Sequence, residues 1–388
     1  MSKSYDAIIV GARCAGAATA MLLARAGMQV LVVDHDAPGT DTMSTHALMR
    51  AGVMQLSRWG LLGDIEAAAT PAIRAAEFIY GCERTIVPIL PAAGTDALYA
   101  PRRTVLDTVL AKAAESAGAE VRYGVSCVGI QRGPDGRVRG ARLRSGSGAA
   151  EIVTARFVIG ADGRRSTVAR LLEAPVLWEA AHSSACLFGY VGGLENDGYR
   201  WFWAPGAAAG IIPTNDGLSC VFVSLPEDRA GELRHKDAAG LLAAAALHVP
   251  EIRRDILAAE PVSAPVLFSG HRGRLRQATG PGWALVGDAG YFKDPISAHG
   301  ITDALRDAEI LARALIADRP DDYPRLRDAL SADFFRTTDR IAAFDWSLSE
   351  AAALHRQLNI AMKAEQDWIA GLEAAAGPET AAEVKLAS

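Results

Sequence analysis

The chain has 388 residues, of which half are hydrophobic and 22% charged, with a formal net charge of -5. That length implies about two or three domains, each with its own core, and the composition is that of an ordinary globular chain rather than a disordered one. The mild acidity and the lack of any lysine-arginine run argue against a surface that tracks nucleic-acid phosphates.

The five cysteines, Cys14, Cys82, Cys127, Cys186 and Cys220, show no C-x-x-C spacing. An odd count of this kind suits a reducing interior, so a cytoplasmic location is expected. The most apolar stretch, AAGLLAAAALHV at 238–249, is far shorter than the roughly 20 residues that span a bilayer. It reads as a core helix, and no integral membrane segment is expected.

In chain order, residues 5–10 form an apolar run suited to a strand buried on both faces. Residues 15–26 carry alanine and leucine at helical spacing, and Gly27 ends that helix. Residues 29–33 form a second β-branched run that stops at Asp34, completing a β-α-β unit of about 30 residues. Between the first strand and helix lies GARCAG, residues 11–16. The dinucleotide fingerprint G-x-G-x-x-G has glycine at the middle position so that backbone can approach a pyrophosphate, and here Arg13 stands there. The turn alone is compatible with a nucleotide site or a tight structural turn. Asp34, a carboxylate at the end of the second strand, favours the nucleotide, because it can accept both ribose hydroxyls while helix N-terminal amides hold phosphate.

Residues 42–65 read as a loop entering a helix with apolar positions at 53, 56, 59 and 61, and residues 76–98 as extended and proline-interrupted. Residues 102–130 predict a long helix, a stop at Gly118 and two strands around Gly124, with a hairpin turn at GPDGR, 133–137. Residues 183–225 alternate aromatic and apolar runs with turn signals, the pattern of an antiparallel sheet. A helical insert is expected at 237–259 and a buried strand at 282–290. Residues 301–315 form a strongly periodic helix, and the chain remains helical and amphipathic to about residue 373, with frayed last residues.

Two more segments carry chemistry. FVIGADGRRSTVARLL at 157–172 places Asp162 at a strand end and Ser166 where it caps a helix. WALVGDAGYFKDPISAHGITDALRDAEILARAL at 283–315 places Asp288 at a strand end and Pro295 to Gly300 at a helix mouth. GARCAG, the DG segment and the GD segment, in this order, resemble the para-hydroxybenzoate hydroxylase and geranylgeranyl reductase superfamily of FAD enzymes over roughly residues 5–317.

The resemblance implies an α/β fold with a Rossmann-like FAD-binding domain of the glutathione reductase type, discontinuous over 1–75, 98–180 and 270–320. An antiparallel β-sheet substrate domain would occupy 76–97 and 181–269, and a helical C-terminal segment 321–388. It further implies that Gly11, Arg13, Cys14, Ala15 and Gly16 surround the FAD pyrophosphate, Asp34 holds the adenosine ribose and Asp288 the ribityl chain. Arg103 would open the central helix against the cofactor, with Arg50 as a second arginine beside it and Asp162 as the DG aspartate. Pro295, Gly300 and Ile301 belong to the segment whose helix N-terminus faces the flavin pyrimidine, where it favours reduced flavin.

The chain departs from the hydroxylase pattern at Gly290, Tyr291 and Ser297 as well as at Arg13. His46 reads either as a general base near working pH or as a loop histidine with one backbone bond. His299 reads as a flavin-side group or a solvent-facing one. Trp201, Trp203 and Phe222 read as an aromatic wall for a flat substrate or as core packing. The histidines show no metal-ligand spacing, so no metal is expected.

The implied activity is a single-component monooxygenase. NAD(P)H reduces FAD as a transient reductant, oxygen forms a flavin C4a-hydroperoxide, and a small aromatic or apolar substrate is hydroxylated in a monomer or homodimer. The rivals are a reductase of an isoprenoid or other C=C bond, a flavin-dependent halogenase, and a flavin-binding protein without turnover. Halogenation is disfavoured because no lysine occurs between Lys3 and Lys112.

Overall fold

The computed structural model describes residues 4–42, 44–92 and 94–375, so the expected fraying of the last residues lies outside what is described. The first sheet is built on parallel strands, as buried β-branched runs joined by a crossover helix require. Ser4–Val10 pairs in parallel with Val30–Asp34 on one side and Glu151–Gly160 on the other. Glu120–Tyr123 extends it past Val30–Asp34, and Trp283–Leu285 extends it past Glu151–Gly160, both again in parallel. Val125–Arg132 and Val138–Ser145 form the predicted hairpin, which joins Glu151–Gly160 in antiparallel register.

Helix α1 (Cys14–Arg25) follows the first strand, and Ala26 and Gly27 end it, Gly27 at a φ of 83°. Helices α2 (Arg50–Arg58) and α3 (Leu62–Ala67) occupy the stretch read as a loop entering one helix. Next come α4 (Arg103–Ser116), which packs on α1, and α5 (Thr167–Leu172), whose N-cap Ser166 accepts from the Ala169 amide as predicted.

The second sheet runs in the order Glu260–Pro261, Ser184–Gly192, Ser219–Pro226, Ala207–Pro213, Tyr199–Ala204, Ala75–Tyr80, Glu83–Pro88. It is antiparallel except where Tyr199–Ala204 meets Ala75–Tyr80 in parallel. Those two strands lie far apart in sequence, so no hairpin turn constrains their direction. Strand alternation separates its faces. Phe202, Val221, Val223 and Leu225 form a core under α6 (Ala238–His248), whereas Trp201, Trp203 and Phe222 join the large core shared with α1 and α4. A small sheet of Val176–Glu179, Arg274–Arg276 and Tyr291–Phe292 lies beside them.

Helix α7 (Gly300–Ile316) differs from its expected amphipathic form. The predicted positions Ala304, Leu305, Ala308, Leu311, Ala312 and Leu315 are buried, but so are Asp303, Arg306, Asp307 and Glu309. The polar side is covered by α2, by α8 (Asp322–Ala342) and by Glu365 of α9 (Leu348–Ala375), so those charges are paired internally instead of facing water.

The first strand-to-helix turn is held by close backbone approach. Gly11 has a φ of 108°, and a Cβ there would lie 2.4 Å from the Ala161 carbonyl oxygen. A Cβ on Gly16 would lie 1.8 Å from the Gly11 carbonyl oxygen. Arg13, by contrast, is the N-cap of α1 with a φ of -90°, a conformation open to any residue. Because only backbone could yield at Gly16, Gly16→Ala is expected to cost about 1–3 kcal/mol of stability or more. The urea unfolding midpoint reads this, and an unchanged midpoint would contradict the packing described.

Candidate functional site

Parallel strands deliver their carboxyl ends to one edge of the sheet, where α/β proteins place ligands. Ser4–Val10 leads to Gly11, Val30–Asp34 ends at Asp34, Glu151–Gly160 leads to Asp162, and Trp283–Leu285 leads to Asp288. These residues share a cavity of about 750 Å³ with Arg13, Cys14, Ala15, Arg103, His46, Pro295, His299, Gly300 and Ile301. A second cavity of about 370 Å³ shares Arg13, Asp34 and Asp36 with the first, so the space is elongated past the acidic strand end.

The polar groups on this wall are held by short contacts. Asp34 accepts from the Ala12 amide at 2.7 Å and the Asp36 amide at 2.9 Å. Arg13 pairs with Asp36 at 2.8 Å, which directs its guanidinium beyond Asp34. Arg103 donates to both oxygens of Asp107 at 2.9 and 3.0 Å, and the Cys14 thiol donates to the same carboxylate at 3.1 Å. Burial holds that thiol well above its ordinary range, so Cys14 is a packing group here and not a thiolate. Asp162 accepts from the Thr167 and Val168 amides, fixing the start of α5 against the cavity. Burial raises the Asp288 carboxyl, opposed by the charges of Lys293, Arg103 and Arg164.

Gly16 lies beneath this turn and gives it room without lining the cavity. Arg50 is not brought to the cavity wall. Its guanidinium is taken up by the Leu90 carbonyl at 2.7 Å and by Thr95 at 3.4 Å. Trp201, Trp203 and Phe222 are not brought to it either. Phe188, Phe222, Gly210 and Trp201 form one row across the second sheet, and only Phe188 reaches the wall, together with Phe268 and Phe292. Trp201 packs on Tyr199 and Phe222, while Trp203 packs on Trp346 and on His355 of α9 at 4.1 Å between ring centroids. The aromatic part of the wall is thus made by Phe188, from the stretch read as an antiparallel sheet, by Phe292, from the third motif, and by Phe268, which the sequence reading did not single out.

His46 has a φ of 67°, stacks on Tyr190 and shares a hydrogen bond from Nε2 with the Tyr190 hydroxyl. The expected base near working pH is not what results. Burial, helped by Arg103, pushes His46 down to about 3, so it is neutral at pH 7.

His299 is buried too, with Nε2 2.8 Å from a Glu365 carboxylate oxygen, so the solvent-facing alternative is set aside. Lys293, a wall residue the sequence reading missed, is ion-paired with Asp303. Burial and Arg306 push Lys293 down to about 7, against the pull of the carboxylates around it. His299, Asp303 and Glu365 lie near enough to ligate a cation. Lys293 and Arg306 already supply positive charge at that place.

A family model described as "FAD binding domain" matches residues 4–319. The chain belongs to that family. Among its relatives is the digeranylgeranylglycerophospholipid reductase of Methanosarcina acetivorans, 27% identical over 81% of this chain and 75% of that one. The 3-demethoxyubiquinol 3-hydroxylase of Escherichia coli is 27% identical over 82% of this chain and 81% of its own length. The fold matches that of PqsL from Pseudomonas aeruginosa, solved in complex with 2-aminobenzoylacetate, with a TM-score of 0.79 and 22% identity over 91% of this chain and all of that one. Flavin-dependent brominases and halogenases also share the fold.

The chain is therefore an FAD-dependent enzyme, and the residues present suit the group. The bare backbone at Gly11, the start of α1, the Asp34 carboxylate and the elongated double cavity match a pyrophosphate flanked by a nucleoside and a flat ring. Among the described residues, no helix is long and apolar enough to cross a membrane.

Asp288→Ala is expected to weaken FAD binding about tenfold or more, read from the visible spectrum and flavin content. Wild-type protein that is colourless and cannot be reconstituted with FAD would contradict the site. His46 bears on acid stability: its folded value lies below the unfolded 6.5, so the unfolded chain takes up the proton first and stability falls as pH drops from about 6.5 towards 3. His46→Gln should flatten that part of the pH dependence of Tm, and an unaltered slope would refute the burial argument.

Proposed function

We propose that this flavoenzyme is a single-component, NAD(P)H-dependent monooxygenase that hydroxylates a small aromatic compound. The observation that carries this reading is that Phe188, Phe268 and Phe292 line the same cavity as the helix mouth at Pro295, Gly300 and Ile301. Aromatic rings of this kind suit a flat substrate. The 3-demethoxyubiquinol hydroxylase and PqsL are similar in sequence and fold respectively, which supports the same reading.

Bound FAD would supply hydride acceptance and oxygen activation, and the chain's own groups do the rest. In this reading Gly11, Arg13, Cys14, Ala15 and Asp34 bind the adenosine diphosphate half. Arg103, Asp162 and Asp288 hold the middle, and Pro295, Gly300 and Ile301 present a helix start to the ring. His46, neutral and bonded to Tyr190, ties the first-sheet loop to the substrate sheet and keeps water from that edge. The division into an FAD domain (1–75, 98–180, 270–320), a substrate domain (76–97, 181–269) and a helical segment from 321 belongs to the proposal. The unpaired state of all five cysteines supports a reducing compartment, the cytoplasm.

A reductase of a C=C bond is the second reading, favoured by the likeness to the Methanosarcina enzyme. Halogenation is a third reading, with Lys293 on the cavity wall in its favour and the lack of any lysine between Lys3 and Lys112 against it. One experiment separates the three. Reduced protein is mixed with labelled oxygen and a panel of phenols, with and without bromide. The expected result is one oxygen atom from O2 in a hydroxylated product. Saturation of an alkene substrate without oxygen incorporation, or bromide-dependent halogenation, would overturn the proposal.

A further inference from the structure

We propose that Arg164 and Arg165 form an anion-receiving edge of the flavin cavity, and that the substrate is an aromatic compound carrying a carboxylate or phosphate group. The inference rests on the hydroxylase reading for the aromatic ring, and the charged edge stands on its own geometry.

Five cationic side chains line the cavity, Arg13, Arg103, Arg164, Arg165 and Lys293. Three of them are matched with a carboxylate: Arg13 with Asp36 at 2.8 Å, Arg103 with Asp107 at 2.9 Å, and Lys293 with Asp303. Arg164 and Arg165 are neighbours in the chain, and neither guanidinium has an ion-pair or hydrogen-bond partner among the described residues. Both keep accessible surface, Arg164 as a half-buried residue and Arg165 as an exposed one. A ligand in the cavity can therefore touch them, in contrast to the buried Lys293.

Two adjacent like charges favour a counter-ion beside them. Burial and Arg165 hold Arg164 below its ordinary value, with Asp288 acting in the opposite direction. The positive field reaches the aromatic part of the wall. Arg164 lies over the Phe268 ring, 5.5 Å from its centroid. His271 packs on Phe292 at 5.4 Å between ring centroids, and burial, Arg274, Arg164 and Arg165 together hold it below its ordinary value. Arg274 is taken up by Glu179 at 2.7 Å, which leaves the arginine pair of the wall as the free positive charge at this end.

One small molecule can thus place a ring among Phe188, Phe268 and Phe292 and an acidic substituent on the arginines. Arginine suits this task because its planar fork meets a carboxylate or phosphate through paired N–H groups. A cationic edge that is open to solvent also draws anions towards the cavity.

The test uses the full-length FAD-loaded protein and measures binding by calorimetry. The probes are meta-hydroxybenzoate and meta-hydroxyphenyl phosphate, with meta-hydroxybenzamide as the neutral counterpart. Wild type should bind at least one anionic probe more tightly than the amide, and added salt should erode that preference. Arg164→Gln and Arg165→Gln should each weaken the anionic probe about tenfold or more, with the amide and the FAD content unchanged. Arg165→Lys should restore part of the loss.

No preference of wild type for either anion, or equal weakening of anions and amide in the variants, would overturn the proposal. Loss of FAD from the variants would assign the arginines to the pyrophosphate of the cofactor. An effect confined to the NAD(P)H concentration needed for flavin reduction would assign them to the reductant, and either result also overturns the substrate assignment. If Arg164→Gln does not fold, the exposed Arg165 carries the same comparison. Turnover with labelled oxygen keeps the two readings apart. Anion-selective binding without hydroxylation leaves the charged edge standing and removes the hydroxylase reading, whereas hydroxylation of the amide with no preference for anions does the reverse.

Discussion

The parallel pairing of Ser4–Val10 with its two neighbours is the constraint on which the rest depends. Strands that point the same way end at the same edge, and the acidic or glycine residue that follows each strand is carried there without any further instruction. Gly11, Asp34, Asp162 and Asp288 meet for this reason, although the first and last are separated by most of the chain. The pairing is stable because both faces of these strands are covered, by α1, α4 and α7 on one side and by the hairpin and α5 on the other. The close backbone approach of Gly11 to Ala161 then locks the turn against the neighbouring strand.

The second sheet and the C-terminal helices pack beside the cavity by a different physics. One face of that sheet is packed under α6 with aliphatic side chains, and its aromatic face is turned towards the first sheet. α9 crosses the far end of this aromatic face, where His355 lies against Trp203 and donates to or accepts from the Tyr80 hydroxyl. Farther along, the same helix carries Glu365 into the charge cluster behind the cavity. Buried charges of both signs are tolerable only when paired. Arg306 is the hub of that pairing, touching Asp303, Asp307, Glu365 and Ser331. The helix mouth at the cavity is thereby tied to a part of the chain outside the region that the family shares.

Some site residues were legible because a backbone requirement or a strand-end position marks them locally. Gly11, Asp34, Asp162 and Asp288 are of this type, and Arg13 could be recognised as the exception to a glycine rule. Arg50 was misleading because resemblance supplied its position and gave no information on which carbonyls would capture its guanidinium. Trp201 and Phe222 were read as an aromatic wall or as core packing, and the position along the row decides which ring reaches a cavity, a coordinate that alternation in sequence does not carry. A lone lysine in KDP, at 293, stood inside the third motif and was the one available signal for a charged wall residue.

The sequence by itself determined the order of strands and helices, the antiparallel character of the aromatic strands and the three motifs at strand ends, because each follows from short-range periodicity or backbone conformation. Only the tertiary structure decided which rings bound the cavity, that the polar side of α7 is buried, and that Lys293, His299 and Glu365 share one cluster. Those outcomes depend on contacts between segments tens to hundreds of residues apart. Their spacing leaves no periodic trace, and burial, which sets the charge state of His46 and Lys293, exists only once those segments have packed.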